Sequence, residues 1–75
     1  METAASLSRS AKELDAAYGP GLLSVAEQAM TIGDLMTYRL GGNAEYADRV
    51  RLGSIILIVR ELDENDHIRS VGISL

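Results

Sequence analysis

The chain has no cysteine, no tryptophan and no phenylalanine, and only one proline and one histidine. Without cysteine there are neither disulfides nor thiolate metal sites. Without tryptophan or phenylalanine the core must be built mainly from aliphatic side chains. A chain of 75 residues buries only about 60% of the surface its unfolded form exposes, so its stability margin is thin and a second subunit would help it. The longest apolar run, Ile55 to Val59, has five residues, whereas a membrane-spanning helix needs roughly 20. Met1-Glu2-Thr3 is acidic where a secretory signal is basic, and no signal-like apolar core follows. The expectation is a single small domain over residues 1–75, cytoplasmic and without a membrane segment.

The formal net charge is −4, which argues against a sequence-blind polyanion binder, because such affinity comes from cations on phosphates. The charge is unevenly spread. Residues 1–38 carry two cations and five anions, residues 39–60 four and two, and residues 61–75 one and four. The middle third is therefore +2 in an otherwise acidic chain, which points to a local basic face.

What is present reads first as helices. Ala4, Leu7, Ala11, Leu14 and Tyr18 repeat at alternating spacings of three and four, one face of a helix. Thr3 can cap its start, or Ser10 with Glu13 can form an internal capping pair, and Gly19-Pro20-Gly21 ends it. Ser24-x-x-Glu27 is placed as a capping box for a second short helix, and Thr31 with Asp34 repeats that logic for a third, whose stripe is Ile32, Leu35, Met36 and Leu40. Gly41-Gly42 supplies its C-cap. Asn43 then suits the N-cap of a fourth helix over residues 44–52, with Ala47 and Val50 inward and Arg49 and Arg51 outward.

After Gly53 the β-branched run Ile55 to Val59 predicts a strand. Asp63-Glu64-Asn65-Asp66 is a polar turn, and residues 70–75 alternate polar or small with apolar, which predicts a second strand with Val71, Ile73 and Leu75 facing the core. The fold class expected is α+β: helices followed by a C-terminal two-stranded hairpin, winged-helix-like.

The residues of catalysis are scarce. His67 sits beside an acidic turn as a solvated residue, and with Asp63 and Asp66 it matches no established metal spacing. The paired glycines neither follow a strand nor precede a Lys-Ser/Thr pair, so they read as helix stops rather than phosphate loops. No enzyme, no cofactor and no metal are expected.

Two short helices joined by a tight glycine turn form a helix-turn-helix unit whose second helix is sized for the major groove. Here the sequence resembles winged helix-turn-helix regulators of the MarR type. Residues 30–36 resemble the segment that opens the motif's first helix. Residues 58–75, with an arginine, an Asp-x-x-Asp turn, a second arginine and an alternating apolar strand, resemble the wing. The stretch between Leu40 and Arg60 is several residues shorter than in that family. The resemblance implies a dimeric regulator of double-stranded DNA, with residues 43–51 as recognition helix and Arg69 on the wing. The DNA-binding residues would be Asn43, Tyr46, Arg49, Arg51 and Arg69.

Two readings compete with it. The arginines can simply solvate helix faces and pair with Asp34, Glu45 or Asp48, and Arg60 and Arg69 can be cross-strand neighbours. In the second, the chain is a protein-interaction module, an adaptor, inhibitor or oligomer-forming subunit. It would act through the hairpin, whose apolar strand offers an open edge, or through the first helix.

Overall fold

The computed structural model describes residues 2–19 and 21–75, in the order β1 (Glu2–Ala5), α1 (Lys12–Tyr18), α2 (Val25–Gln28), α3 (Ile32–Arg39), β2 (Arg49–Leu52), β3 (Ile55–Leu62) and β4 (Ile68–Ser74). Met1 and Pro20, to which a charge signal and a helix stop were attributed, lie outside the described residues. The four strands form one antiparallel sheet in the order β1-β4-β3-β2. Helix and strand are mixed, as expected. The expected hairpin, β3 and β4, is the centre of a four-stranded sheet rather than a two-stranded ribbon.

The helix boundaries follow local capping chemistry. α1 starts later than the apolar spacing suggests, because residues 2–5 pair with β4 instead and satisfy the backbone groups that strand would otherwise leave open. Seven residues of isolated helix are marginal, so long-range pairing wins over a 3-4 repeat. Ser10 Oγ accepts from the Lys12 amide at 3.2 Å, while Glu13 pairs with Arg9 at 2.8 Å rather than reaching back to Ser10. Past Gly19, the Asp15 carboxylate accepts from the amides of Leu22 at 2.8 Å and Leu23 at 3.2 Å, which sets the path of the chain into α2.

The capping box is present: Ser24 Oγ accepts from the Glu27 amide at 3.2 Å and Glu27 Oε1 from the Ser24 amide at 2.9 Å. Thr31 Oγ1 accepts from the Asp34 amide at 3.1 Å and starts α3. α3 ends in a Schellman arrangement, with Gly42 N–H donating to Thr37 C=O at 2.9 Å, Gly41 N–H to Tyr38 C=O at 3.2 Å, and φ +75° at Gly41.

The fourth helix is absent. Asn43 caps nothing helical; the chain turns through Glu45, whose amide donates to Asp48 Oδ2 at 2.9 Å, and enters β2. Ala47 (φ +67°) and Asp48 both bond to Val59, Ala47 N–H to its carbonyl and Asp48 C=O to its amide, each at 2.8 Å. Two residues thus oppose one in a β-bulge. The physical reason is legible in Arg49-Val50-Arg51-Leu52, which alternates polar and apolar with period two. It is followed by Gly53-Ser54, a two-residue loop with φ +58° at its first position, the positive φ that tight hairpin turns take there.

α1, α3 and the segment leading into α2 pack on one face of the sheet. Ala11, Leu14, Leu23, Ile32, Leu35 and Met36 meet Val50, Leu52, Ile55, Leu57, Val59, Val71 and Ile73 in a single cluster. Val71 and Ile73 face this core as expected, whereas Leu75 is 69% exposed, beyond the last pairing of β4. At the tip of the β3–β4 hairpin, Asp63 Oδ1 accepts from the amides of Asn65 at 2.8 Å and His67 at 2.9 Å. The His67 backbone bond, then that of Asn65, holds the Asp63 carboxyl below its usual range.

Candidate interaction face

Strands alternate their side chains between two faces, so the register that buries Leu57 and Val59 turns the residues between them away from the helices. Following the pairs across the sheet gives two outward rows. One is Glu2, Ser74, Ile56, Arg51; the next is Ala4, Gly72, Ile58, Arg49. Ile58 is absent from the helix-side cluster and yet only 5% exposed. Its row neighbour Arg49 carries a long aliphatic stem of the kind that shelters apolar surface.

Beyond these rows, a register shift leaves Arg60 and Arg69 without paired residues. Arg60 reaches across Gly72 to Glu2, its Nε donating to the two carboxylate oxygens at 2.9 and 3.1 Å. A side chain at position 72 would run into Glu2, so glycine leaves the channel for that reach. The hydrogen bond from Arg60 holds the Glu2 carboxyl below its usual range. Reciprocally, Glu2 first and the phenol of Tyr46 next push Arg60 up. Tyr46, 67% exposed, therefore stands beside the same face.

The five residues expected to bind DNA are thus only partly together. Arg49 and Arg51 project side by side from β2, and Tyr46 stands near Arg60, but none of them is on a helix. Asn43 is exposed in the loop after Gly42, and Arg69 is exposed on β4, where its charge is felt at Asp63. The pairings offered for the arginines also differ. Arg39 bonds Glu27 at 3.0 Å rather than Asp34, Arg60 bonds Glu2 rather than neighbouring Arg69, and Arg49 and Arg51 have no acidic partner within 4.0 Å among the described residues. The Glu2–Arg60 pair joins residues 58 apart in the sequence, and no local spacing could have disclosed it. The strand that carries Arg49 and Arg51 could have been found from its alternation and its Gly-Ser turn.

His67 is 78% exposed at the hairpin tip, with its ring 3.7 Å from Asp63. No group of three or more His, Asp or Glu side chains among the described residues is arranged to hold a metal ion. No described helix is long and apolar enough to cross a membrane.

Comparison with known proteins returns no matching family model and no matching solved structure. The chain is similar to the K(+)/H(+) antiporter NhaP of Alkalimonas amylolytica, with 36% identity over 61 residues, which is 81% of this chain and 10% of that protein. The chain spans about a tenth of the length of the curated relative it matches.

Proposed function

We propose that this chain is a non-catalytic interaction domain that recruits a protein partner through the open face and edge of its sheet. The observation that carries the reading is the pair of arginines on β2, exposed and without acidic partners among the described residues, beside the half-buried Ile56 on a sheet face to which the helices do not contribute. Polar rims around small apolar centres are the usual composition of protein interfaces. The similarity to a short stretch of an antiporter supports a role as one segment of a larger transport protein. The lone histidine, solvated at the hairpin tip, supports the non-catalytic part.

Two tyrosines of similar exposure provide the test: Tyr46 at 67% beside the open face, and Tyr38 at 63% on α3. Each is replaced by a photo-reactive phenylalanine analogue, and the protein is irradiated in its own cells. Covalent adducts from position 46 and few from position 38 are expected. Equal yields, or none from position 46, would overturn the reading.

A second reading keeps sequence-specific binding of double-stranded DNA by a MarR-like, dimeric, winged-helix regulator. It has lost its recognition helix, but Arg49 and Arg51 still alternate on one side of an antiparallel ribbon, and ribbons also enter grooves. DNA retention at low salt that is unchanged by Arg49→Ala with Arg51→Ala would end it.

A further inference from the structure

The geometry points to the partner's chemistry: an extended acidic segment that adds to the sheet as a fifth strand alongside β2. This rests on the interaction reading above and names what the edge selects. β2 is the terminal strand of the sheet, and among the described residues no turn or loop backbone bonds to residues 49–52. In an antiparallel pair every second residue directs its N–H and C=O away from the partner strand, so β2 presents unpaired backbone groups to solvent.

Charge then decides what can pair there. On their β3 side, the outward neighbours of Arg49 and Arg51 are Ile58 and Ile56, which neutralise nothing. The adjacent Asp48 carboxylate is turned back to the Glu45 amide at 2.9 Å, and the Glu2 carboxylate is held by Arg60. The two β2 guanidinium groups are therefore uncompensated on that edge.

A second copy joining through the same edge would place arginine against arginine, a destabilising arrangement for residues directly opposite in a sheet. Charged residues on edge strands commonly serve as such a block. An acidic strand reverses the sign. Glutamate or aspartate at every second residue would lie against Arg49 and Arg51, and the alternate apolar residues would lie beside Val50 and Leu52 on the helix side. β2 has only four residues, so the association is weak and depends on low ionic strength.

The experiment uses the full chain with two synthetic peptides, one alternating glutamate with valine and one alternating lysine with valine, followed through backbone amide resonances. The acidic peptide is expected to bind at least tenfold more tightly, to shift the amides of residues 49–52, and to weaken with salt. Arg49→Glu with Arg51→Glu should invert the preference. Arg49→Gln with Arg51→Gln should abolish it without inversion, which guards against a misfolded reversal variant. Equal affinity for both peptides, shifts confined to other elements, no binding, or no inversion would each overturn the proposal. If adducts at position 46 persist while the peptides fail, the domain binds a partner of another kind. If both fail, the interaction reading falls too.

Discussion

The two faces of the one sheet are made from alternate residues of the same strands, and they obey different physics. Towards the helices stand Val50, Leu52, Ile55, Leu57, Val59, Val71 and Ile73, all buried. Towards the other side stand Arg49, Arg51 and Glu2, with Ser74, Gly72 and two isoleucines between them. A step of one residue along β2 thus moves from the support of the fold to its display surface. The first face is constrained by packing density, where a methylene is felt; the second is constrained by charge and by which backbone groups remain open.

The largest predicted effect breaks this comparison most directly. Leu57→Ala removes a side chain with no exposure and should cost about 2–5 kcal/mol, a large share of the ~5–15 kcal/mol that stabilises ordinary domains. Its neighbour Ile56→Ala, on the other face, should cost about 1 kcal/mol or less. Urea denaturation followed by circular dichroism measures both. Equal losses would mean that the open face also supports the fold.

The β2–β3 turn comes next. Gly53 holds φ +58°, and a Cβ there would lie 2.8 Å from Leu22 Cδ2. Leu22 can yield, but the left-handed backbone cannot, so Gly53→Ala should cost about 1–2 kcal/mol. Gly53→Asn should remain closer to the wild type, because asparagine tolerates that region. If alanine and asparagine are equally harmful in the same denaturation series, contact with Leu22 rather than φ governs the turn.

How much of this could be read beforehand depended on whether the cause was local. Ser24 with Glu27, Thr31 with Asp34, Gly41-Gly42 and the turn at Asp63 are interactions over two to five residues, and each forms where its spacing suggests. β1 was illegible for the opposite reason: Glu2-Thr3-Ala4-Ala5 has little pattern of its own and becomes a strand because β4, some 70 residues away, offers a row of partners. β2 falls between these cases. Its alternation was visible, but Asn43 after two glycines made a plausible helix start, and a helix places Val50 inward as readily as a strand does. The candidate face shares that ambiguity: the spacing marks Arg49 and Arg51 as exposed, but on a helix rather than a strand, and nothing local marks Glu2 as the partner of Arg60.

On the helical layer, Glu27 tests a smaller contribution. Its side chain is buried, closes the Ser24 capping box and accepts from Arg39 at 3.0 Å. The Arg39 hydrogen bond, then that of the Ser24 backbone, lowers its pKa from 4.5 to about 2. Because the folded pKa is depressed, the stabilisation is complete above the unfolded value near 4.5 and is lost as pH falls through about 2. Glu27→Gln should therefore lower the thermal midpoint at pH 7, and the gap from wild type should narrow between pH 4.5 and 2. A gap that is constant with pH would assign the loss to packing instead.

The smallest effect is expected on the open face, from the other ion pair. Glu2 and Arg60 are bonded at 2.9 Å but both remain about one-third exposed, where solvent and salt screen the attraction and side-chain entropy opposes it. Arg60→Ala should leave the thermal midpoint within experimental error while the Glu2 carboxyl titrates upward towards its usual range, as carbon-detected NMR of side-chain carboxyls would show. That pairing of results, a changed charge with an unchanged stability, is what distinguishes a surface free to be used for recognition from one committed to packing. A drop in midpoint as large as that of Glu27→Gln would instead mean that the Glu2–Arg60 bond fastens β1 to the sheet, and that this part of the outward face is itself a structural element.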